Sequence, residues 1–315
     1  MLKILGSVND ADAFFARDVA RRLVSVLSEQ MADTKPPSVR FEVLLEVDYL
    51  KRLTELTNEH GGTFYGHKAM HVVVADNATY VGGARDLVRW VQTTYGVDVS
   101  DTMYDAEAYA AQVAQETQQA LKGSTAVFIK FVIKSSSAAA NDGDDAAAAA
   151  IITTPLNKIV IQLATDCPTA TDNFIKLCTG EKGSTDVGSK KVELTYRNCP
   201  VHRLVPGGWF QTGDIVDGTG VNSVAAVGEH HKVQDESLSG DFFGRGMVGF
   251  TATTPHSNGS QFFITLGACG WMNHKYVGIG KVVQGFDALA AIEKEHTKNQ
   301  RPVNAIIVES CGREA

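Results

Sequence analysis

Hydrophobic and polar positions change period several times along the 315-residue chain. Near the N-terminus "LKILGSV" is a short continuous apolar run, the pattern of a buried strand. It gives way to "NDADAFFARDVARRLVSVLSEQ", where Ala16, Ala20, Leu23 and Leu27 fall on one face at helical spacing and Asn9 or Asp10 is placed to cap. "FEVLLEVDYLKRLTEL" predicts a second strand that runs into a helix. "AMHVVVADNATYVGG" predicts a hairpin turning at Asp76-Asn77, and "ARDLVRWVQTTYG" a helix that sets Leu87, Trp90 and Val91 toward a core. Strand and helix alternate over residues 1–100, which predicts an α/β domain.

Residues 101–124, "DTMYDAEAYAAQVAQETQQALKGS", predict a helical connector ending at Gly123-Ser124. From residue 125 to 315 the pattern is mostly that of strands. "TAVFIKFVIK" and "NKIVIQLATD" predict paired strands, and "SSSAAANDGDDAAAAA" between them is a low-complexity excursion, expected as a solvated loop.

Two later segments place polar residues where packing alone would not. In "VHRLVPGGWFQTGD", Pro206-Gly207-Gly208 has the composition of a tight turn. Folding the strands about Gly207 sets Val205 opposite Trp209 and Arg203 opposite Gln211, so arginine and glutamine share a face with Cβ atoms about 5 Å apart. In "SNGSQFFITLG", Gln261, Phe263 and Thr265 alternate onto one face while Phe262, Ile264 and Leu266 take the other. Trp271 follows shortly after. Any one of these residues alone is ordinary core or surface; their convergence suggests a site.

Charge and composition narrow the function classes. The net charge is −7 with a pI near 5.7, and no basic stripe is present to neutralise phosphates, so a nucleic-acid binder is not expected. No run approaches the roughly 20 apolar residues that span a bilayer, and "MLKILGSVNDADAFF" lacks the pattern of a signal peptide. No membrane is therefore expected, and a cytoplasmic location is. The cysteines Cys167, Cys178, Cys199, Cys269 and Cys311 form no CxxC pair, which predicts reduced thiols used as small hydrophobes and no metal site.

The order strand–helix–strand–helix–hairpin–helix, ending in "YVGGARDLVRW", resembles the thioredoxin/glutaredoxin fold. No cysteine precedes Cys167, so no dithiol can open the first helix, and no proline precedes the hairpin strand. Redox catalysis by this half is excluded on that reading, and it is expected to be a docking or structural module. From about Thr125 to Gly312, the segments "PTATDNFIKLCTGEKG", "HRLVPGGWFQTGD", "SNGSQFFITL" and "GKVVQGFDAL" resemble the cyclophilins, the peptidyl-prolyl cis–trans isomerases. The expected fold is an α/β thioredoxin-like N-terminal domain followed by an all-β, eight-stranded antiparallel barrel with two capping helices. The segment "LTYRNCPVHRLVPGGW", the first half and the length together resemble a two-domain branch of that family associated with motile cilia or flagella. This implies axonemal proteins as partners and a ciliary or flagellar axoneme as a location.

The resemblance implies catalysis on Xaa-Pro bonds of peptides or proteins without cofactor or metal. Amide resonance sets a rotation barrier of about 18–20 kcal/mol. Conjugation is lost at the transition state, so a guanidinium aimed at the prolyl nitrogen donates a hydrogen bond that strengthens only there. By resemblance Arg203 is that donor. Gln211 orients it or binds substrate backbone, Phe263 floors the proline pocket, Gln261 is a polar wall and Trp271 an outer wall.

Other positions depart from the family pattern. Gly208-Trp209 stands for phenylalanine-methionine, Thr251-Ala252 for alanine-asparagine, Tyr276 for histidine and Met272 for leucine. Each lost hydrogen bond costs about 0.5–1.5 kcal/mol and a lost apolar wall about 1–3 kcal/mol. Substrate binding is therefore expected to be weakened or altered, and cyclosporin binding weak at most. Two functions remain open at this point: an attenuated isomerase, and a pseudo-isomerase that uses the barrel as a scaffold subunit.

Overall fold

The apolar runs of the first hundred residues pair into a four-stranded sheet. A computed structural model describes residues 1–30, 36–76, 78–136, 151–242 and 244–314. Contacts divide the chain into two units, Met1–Lys122 and Gly123–Ala315.

The first unit comprises β1 (Leu2–Ser7), α1 (Ala11–Gln30), β2 (Val39–Leu44), α2 (Glu46–His60), β3 (His71–Ala75), β4 (Thr79–Gly82), α3 (Ala84–Tyr95) and α4 (Ala106–Leu121). Sheet order is β2-β1-β3-β4, with β1 and β2 parallel and the remaining pairs antiparallel. A parallel pair needs a crossover, and α1 supplies it. Alternation along β1 sends Leu2 and Ile4 to a core with Ala16, Ala20 and Leu23 of α1 and Leu87 and Val91 of α3. Leu5 points the other way, to Tyr49 and Leu56 of α2. Trp90 is half-buried against the first of these cores. Asp105 caps α4 by accepting from the Ala108 N–H at 2.9 Å, and the buried Tyr109 ties that helix to α1 through a 3.0 Å hydrogen bond to Asp18.

The start of α1 carries Asp10, and its carboxylate is engaged. His71 Nδ1 lies 2.6 Å from Asp10 Oδ2, while His71 Nε2 accepts the Ala84 N–H at 2.7 Å. An amide N–H can only donate, so the buried imidazole is neutral and its proton sits on Nδ1. This relay fastens the entry of α1 to the N-terminus of α3.

The second unit comprises β5 (Ala126–Ser136), β6 (Ile151–Pro155), β7 (Ile159–Leu163), α5 (Pro168–Thr179), β8 (Ser184–Val187), β9 (Lys190–Glu193), β10 (Arg203–Val205), β11 (Trp209–Thr212), β12 (Met247–Phe250), β13 (Phe262–Thr265), β14 (Gly278–Gln284), α6 (Phe286–Glu293), β15 (Thr297–Lys298), β16 (Arg301–Pro302) and β17 (Ala305–Arg313). The strands β10-β11-β13-β12-β14-β7-β5-β17 form one curled antiparallel sheet, eight strands along this path, consistent with the expected barrel. The Pro200–Ile307 bridge, beside a 2.8 Å bond from the Val201 N–H to the Ile306 carbonyl, joins the last strand to the segment before the first.

β6 pairs with β5 beyond the end of β7, with every side chain exposed. The sequence reading does not foresee this strand, because it adjoins the Ala-rich stretch, and an apolar pattern marks a strand only where one face is buried. Residues 137–150 of that stretch, and Asn77 at the predicted hairpin turn, lie outside the described residues.

The interior is rich in aromatic edges. Phe262 stands 5.0 Å from Phe174 of α5 and 4.9 Å from Tyr196, whose buried hydroxyl donates to the Ser260 carbonyl at 2.8 Å. All the cysteines are free thiols, four of them buried and Cys311 half-buried, and burial pushes Cys199 up to about 12. Among the described residues no helix is long and apolar enough to cross a membrane.

His202, just before β10, is buried, and neither ring nitrogen has a hydrogen-bond partner among the described residues. Desolvation holds its pKa below the ordinary histidine value. The unfolded chain takes up a proton near the ordinary value, while the folded chain resists it. The stability His202 contributes is therefore present above about pH 6.5 and falls as pH drops below it. His202→Phe is expected to lessen the loss of thermal midpoint between about pH 7.5 and 5.5. An unchanged pH slope in that variant would contradict this account.

Candidate active site

Pro206, Gly207 and Gly208 turn the chain between β10 and β11. Gly207 takes a left-handed φ of 71°, and the Gly208 N–H closes the turn on the Val205 carbonyl at 2.9 Å. The resulting register is the one the spacing predicts: Arg203 opposite Gln211, Leu204 opposite Phe210, Val205 opposite Trp209. Pairing continues across the sheet, with Gln211 opposite Phe263 of β13 and Phe263 opposite Gly249 of β12. One row of side chains thus runs Arg203–Gln211–Phe263–Gly249 on a single face. The neighbouring row, Leu204–Phe210–Ile264–Val248, faces the interior and is fully buried.

The first row floors a cleft of about 300 Å³ that is lined by every candidate side chain: Arg203, Trp209, Gln211, Thr251, Gln261, Phe263, Trp271, Met272 and Tyr276. Phe263 is only 1% exposed, although it lies on the cleft side of its strand. Its ring is enclosed by Phe242 at 5.3 Å and Tyr276 at 5.5 Å, within a cluster that includes Cys269 and Met272. Both faces of β13 are therefore covered, where alternation alone suggests one core face and one mixed face. Gly249 makes the enclosure possible. A Cβ at that position would stand 2.6 Å from Phe263 Cζ and 3.0 Å from Phe242 Cζ.

Trp209 and Trp271 form the rim, 5.4 Å apart and edge to face, and Trp271 is 50% exposed. Arg203 is exposed, and its guanidinium lies over the Trp209 ring at 5.1 Å while Nε donates to Gln300 Oε1 at 2.8 Å. Gln261 is engaged inside the protein. Its Nε2 donates to the Gly220 and Asn222 carbonyls at 3.0 and 2.8 Å, and its Oε1 accepts from Gln211 Nε2 at 3.2 Å. It staples the segment that follows β11 to the sheet and holds Gln211 in the row. Thr251 is fixed to the backbone carbonyl of Gln261 through both its N–H, at 3.0 Å, and its hydroxyl, at 3.3 Å.

The other end of the cleft comes from loops that the sequence reading leaves out: Gly220, Val221, Ser223, Lys232, Thr253 and Ser257. Lys232 Nζ donates to the Ser223 carbonyl at 2.8 Å, and burial lowers its pKa from the usual lysine value. These residues follow no strand period, so no local pattern marks them. Gln300, far away in sequence, is likewise missed. The whole combines an apolar floor, an aromatic rim, the basic side chains Arg203 and Lys232 and the amides Gln211 and Gln261, which suits an extended peptide carrying a small apolar ring. Among the described residues no cluster could hold a metal ion.

The Gly249–Phe263 contact can be tested directly. Gly249→Ala is expected to shift the ring resonances of Phe263 and Tyr276 and to cost about 1–3 kcal/mol in urea unfolding. Unmoved rings at full stability would mean that the floor has room to spare.

Comparison with known proteins accords with this geometry. The description "Cyclophilin type peptidyl-prolyl cis-trans isomerase/CLD" matches residues 149–313. A human protein named "Probable inactive peptidyl-prolyl cis-trans isomerase-like 6" is 32% identical over 241 residues, covering 75% of this chain and 68% of the relative. The bovine protein of the same name is 28% identical over 320 residues, covering 99% of this chain and 92% of the relative. "Peptidyl-prolyl cis-trans isomerase CYP21-1" of Arabidopsis thaliana is 39% identical over 159 residues, covering 50% of this chain and 69% of its own. With its curled antiparallel sheet and a match over most of the second unit, the chain belongs to the cyclophilin-type peptidyl-prolyl cis–trans isomerase family.

Proposed function

We propose that the protein is a peptidyl-prolyl isomerase with a weakened substrate cradle, and that Arg203 is its catalytic residue. The observation that carries this reading is the row Arg203–Gln211–Phe263, set on one face by the pairing of β10, β11 and β13. A proline ring resting over Phe263 has an apolar enclosure from Met272 and Tyr276 beside it. The prolyl nitrogen then lies toward the strand that carries the guanidinium. As the amide twists, this nitrogen gains lone-pair character, and an arginine N–H donates to it most strongly at the transition state. The guanidinium also lies over the Trp209 ring, a cation–π contact that favours keeping it beside the cleft.

The cradle is weakened at three places. Gly208 has no side chain to wall the cleft, and Trp209 beside it fills part of the space against Trp271. Ala252 has no amide to offer a substrate carbonyl, and Tyr276 replaces an imidazole with a phenol. These losses support slow turnover and weak cyclosporin binding. They also support a second reading, in which the barrel is a binding subunit of a ciliary or axonemal assembly. The words "probable inactive" in the names of the human and bovine relatives favour the same reading. In either case the first unit serves as a thioredoxin-like docking module in the cytoplasm. Where a dithiol would open α1, Asp10 is committed to His71.

Exchange NMR on a short Xaa-Pro peptide with the full chain separates the readings. The expected result is catalysed exchange that falls at least about tenfold in Arg203→Ala, the scale of one lost charge-assisted hydrogen bond. Background rates for both forms would leave the binding-subunit reading standing.

A further inference from the structure

Arg203 is exposed and carries a long side chain with many rotamers, yet its work requires one orientation. Among the described residues its one hydrogen bond is from Nε to Gln300 Oε1, at 2.8 Å. Gln300 occupies an unusual place. β15 and β16 are joined by a two-residue loop, Asn299-Gln300, with Lys298 paired to Arg301 across it. Both loop residues take left-handed φ, 52° at Asn299 and 63° at Gln300. Such turns favour glycine at the second position, and a side chain with a Cβ is strained there. Strain retained where a glycine would relieve it points to a task for the side chain.

The task is visible in the contacts. The Gln300 carbonyl accepts the Leu204 N–H at 2.6 Å, which seats the turn on β10 one residue from Arg203. Arg301 Nη2 donates to the Thr219 carbonyl at 3.0 Å and anchors the other side of the turn. The strained residue is thus fixed at both backbone and neighbour, and its amide oxygen meets Nε. With Nε held and the guanidinium over the Trp209 ring at 5.1 Å, neither terminal amino group has a hydrogen-bond partner among the described residues, so both are open to a ligand in the cleft.

We propose that Gln300 is a positioning residue for Arg203, holding the guanidinium in the orientation that presents its terminal N–H groups to the prolyl nitrogen. The catalytic part of this statement rests on the isomerase reading above; the hold on Arg203 does not.

The test uses the full chain carrying Gln300→Gly or Gln300→Glu, with Arg203→Lys to assign the Arg203 Nε–H resonance. Glycine adopts the turn without strain, so Gln300→Gly is expected to keep or raise the thermal midpoint. In that variant the Arg203 Hε resonance moves to the position of a solvated arginine and exchanges with water faster. Its kcat for Xaa-Pro exchange falls about fivefold to tenfold with KM little changed. Gln300→Glu, which keeps the acceptor, restores both the resonance and the turnover.

An Hε resonance that does not move in Gln300→Gly overturns the proposal. So does a lost Hε signature with unchanged kcat. If the wild-type chain itself shows no turnover, the isomerase reading fails, and the Hε resonance alone decides whether Gln300 holds Arg203.

Discussion

Two rows of side chains cross β10, β11, β13 and β12, one on each face, and the antiparallel register keeps them apart. Leu204, Phe210, Ile264 and Val248 fill the interior, while Arg203, Gln211 and Phe263 lie toward the cleft. Because side chains alternate with a period of two, slipping β10 by one residue would bury Arg203 and expose Leu204. The cost of a buried unpaired guanidinium rules out that alternative. The tight turn at Gly207 and the apolar row therefore fix the site together: the residues that stabilise the barrel also decide where the cation points. Glu293 of α6 adds a clasp at the tip, accepting the Gly207 N–H at 2.9 Å and pairing with Arg245.

The cleft differs from floor to rim. Its floor is enclosed more tightly than an open pocket, since Gly249 lets Phe242 and Phe263 meet. Its rim centres on Trp209, which joins Trp271 and offers a face to Arg203. Its polar side is sparse, because Gln261 spends its amide on the Gly220 and Asn222 carbonyls and Ala252 has no amide. Under the proposed function, a cation held in place beside fewer substrate contacts would favour weak binding over lost chemistry.

Much of this was legible in the sequence, for identifiable reasons. The α/β alternation, the buried faces of α1 and α3 and the hairpin register rest on strong local periods, and each stands in the structure. The candidate side chains of the cleft came from that register and from resemblance, and all of them line one cavity. Burial of Phe263 was not legible, because it depends on Phe242 and Tyr276 arriving from separate segments. β6 carries no buried face, so it left no alternating signal. Gln300 was hidden for a third reason: its meaning lies in a left-handed φ and a partner far along the chain.

The most direct test of the central claim, that this row grips a prolyl peptide, is a titration of the full chain with an Xaa-Pro peptide followed by NMR. Shifts are expected at the indole N–H groups of Trp209 and Trp271, at the methyl of Met272 and at the Arg203 Nε–H, all saturating together. Shifts confined to the first unit, or none at millimolar peptide, would contradict the account.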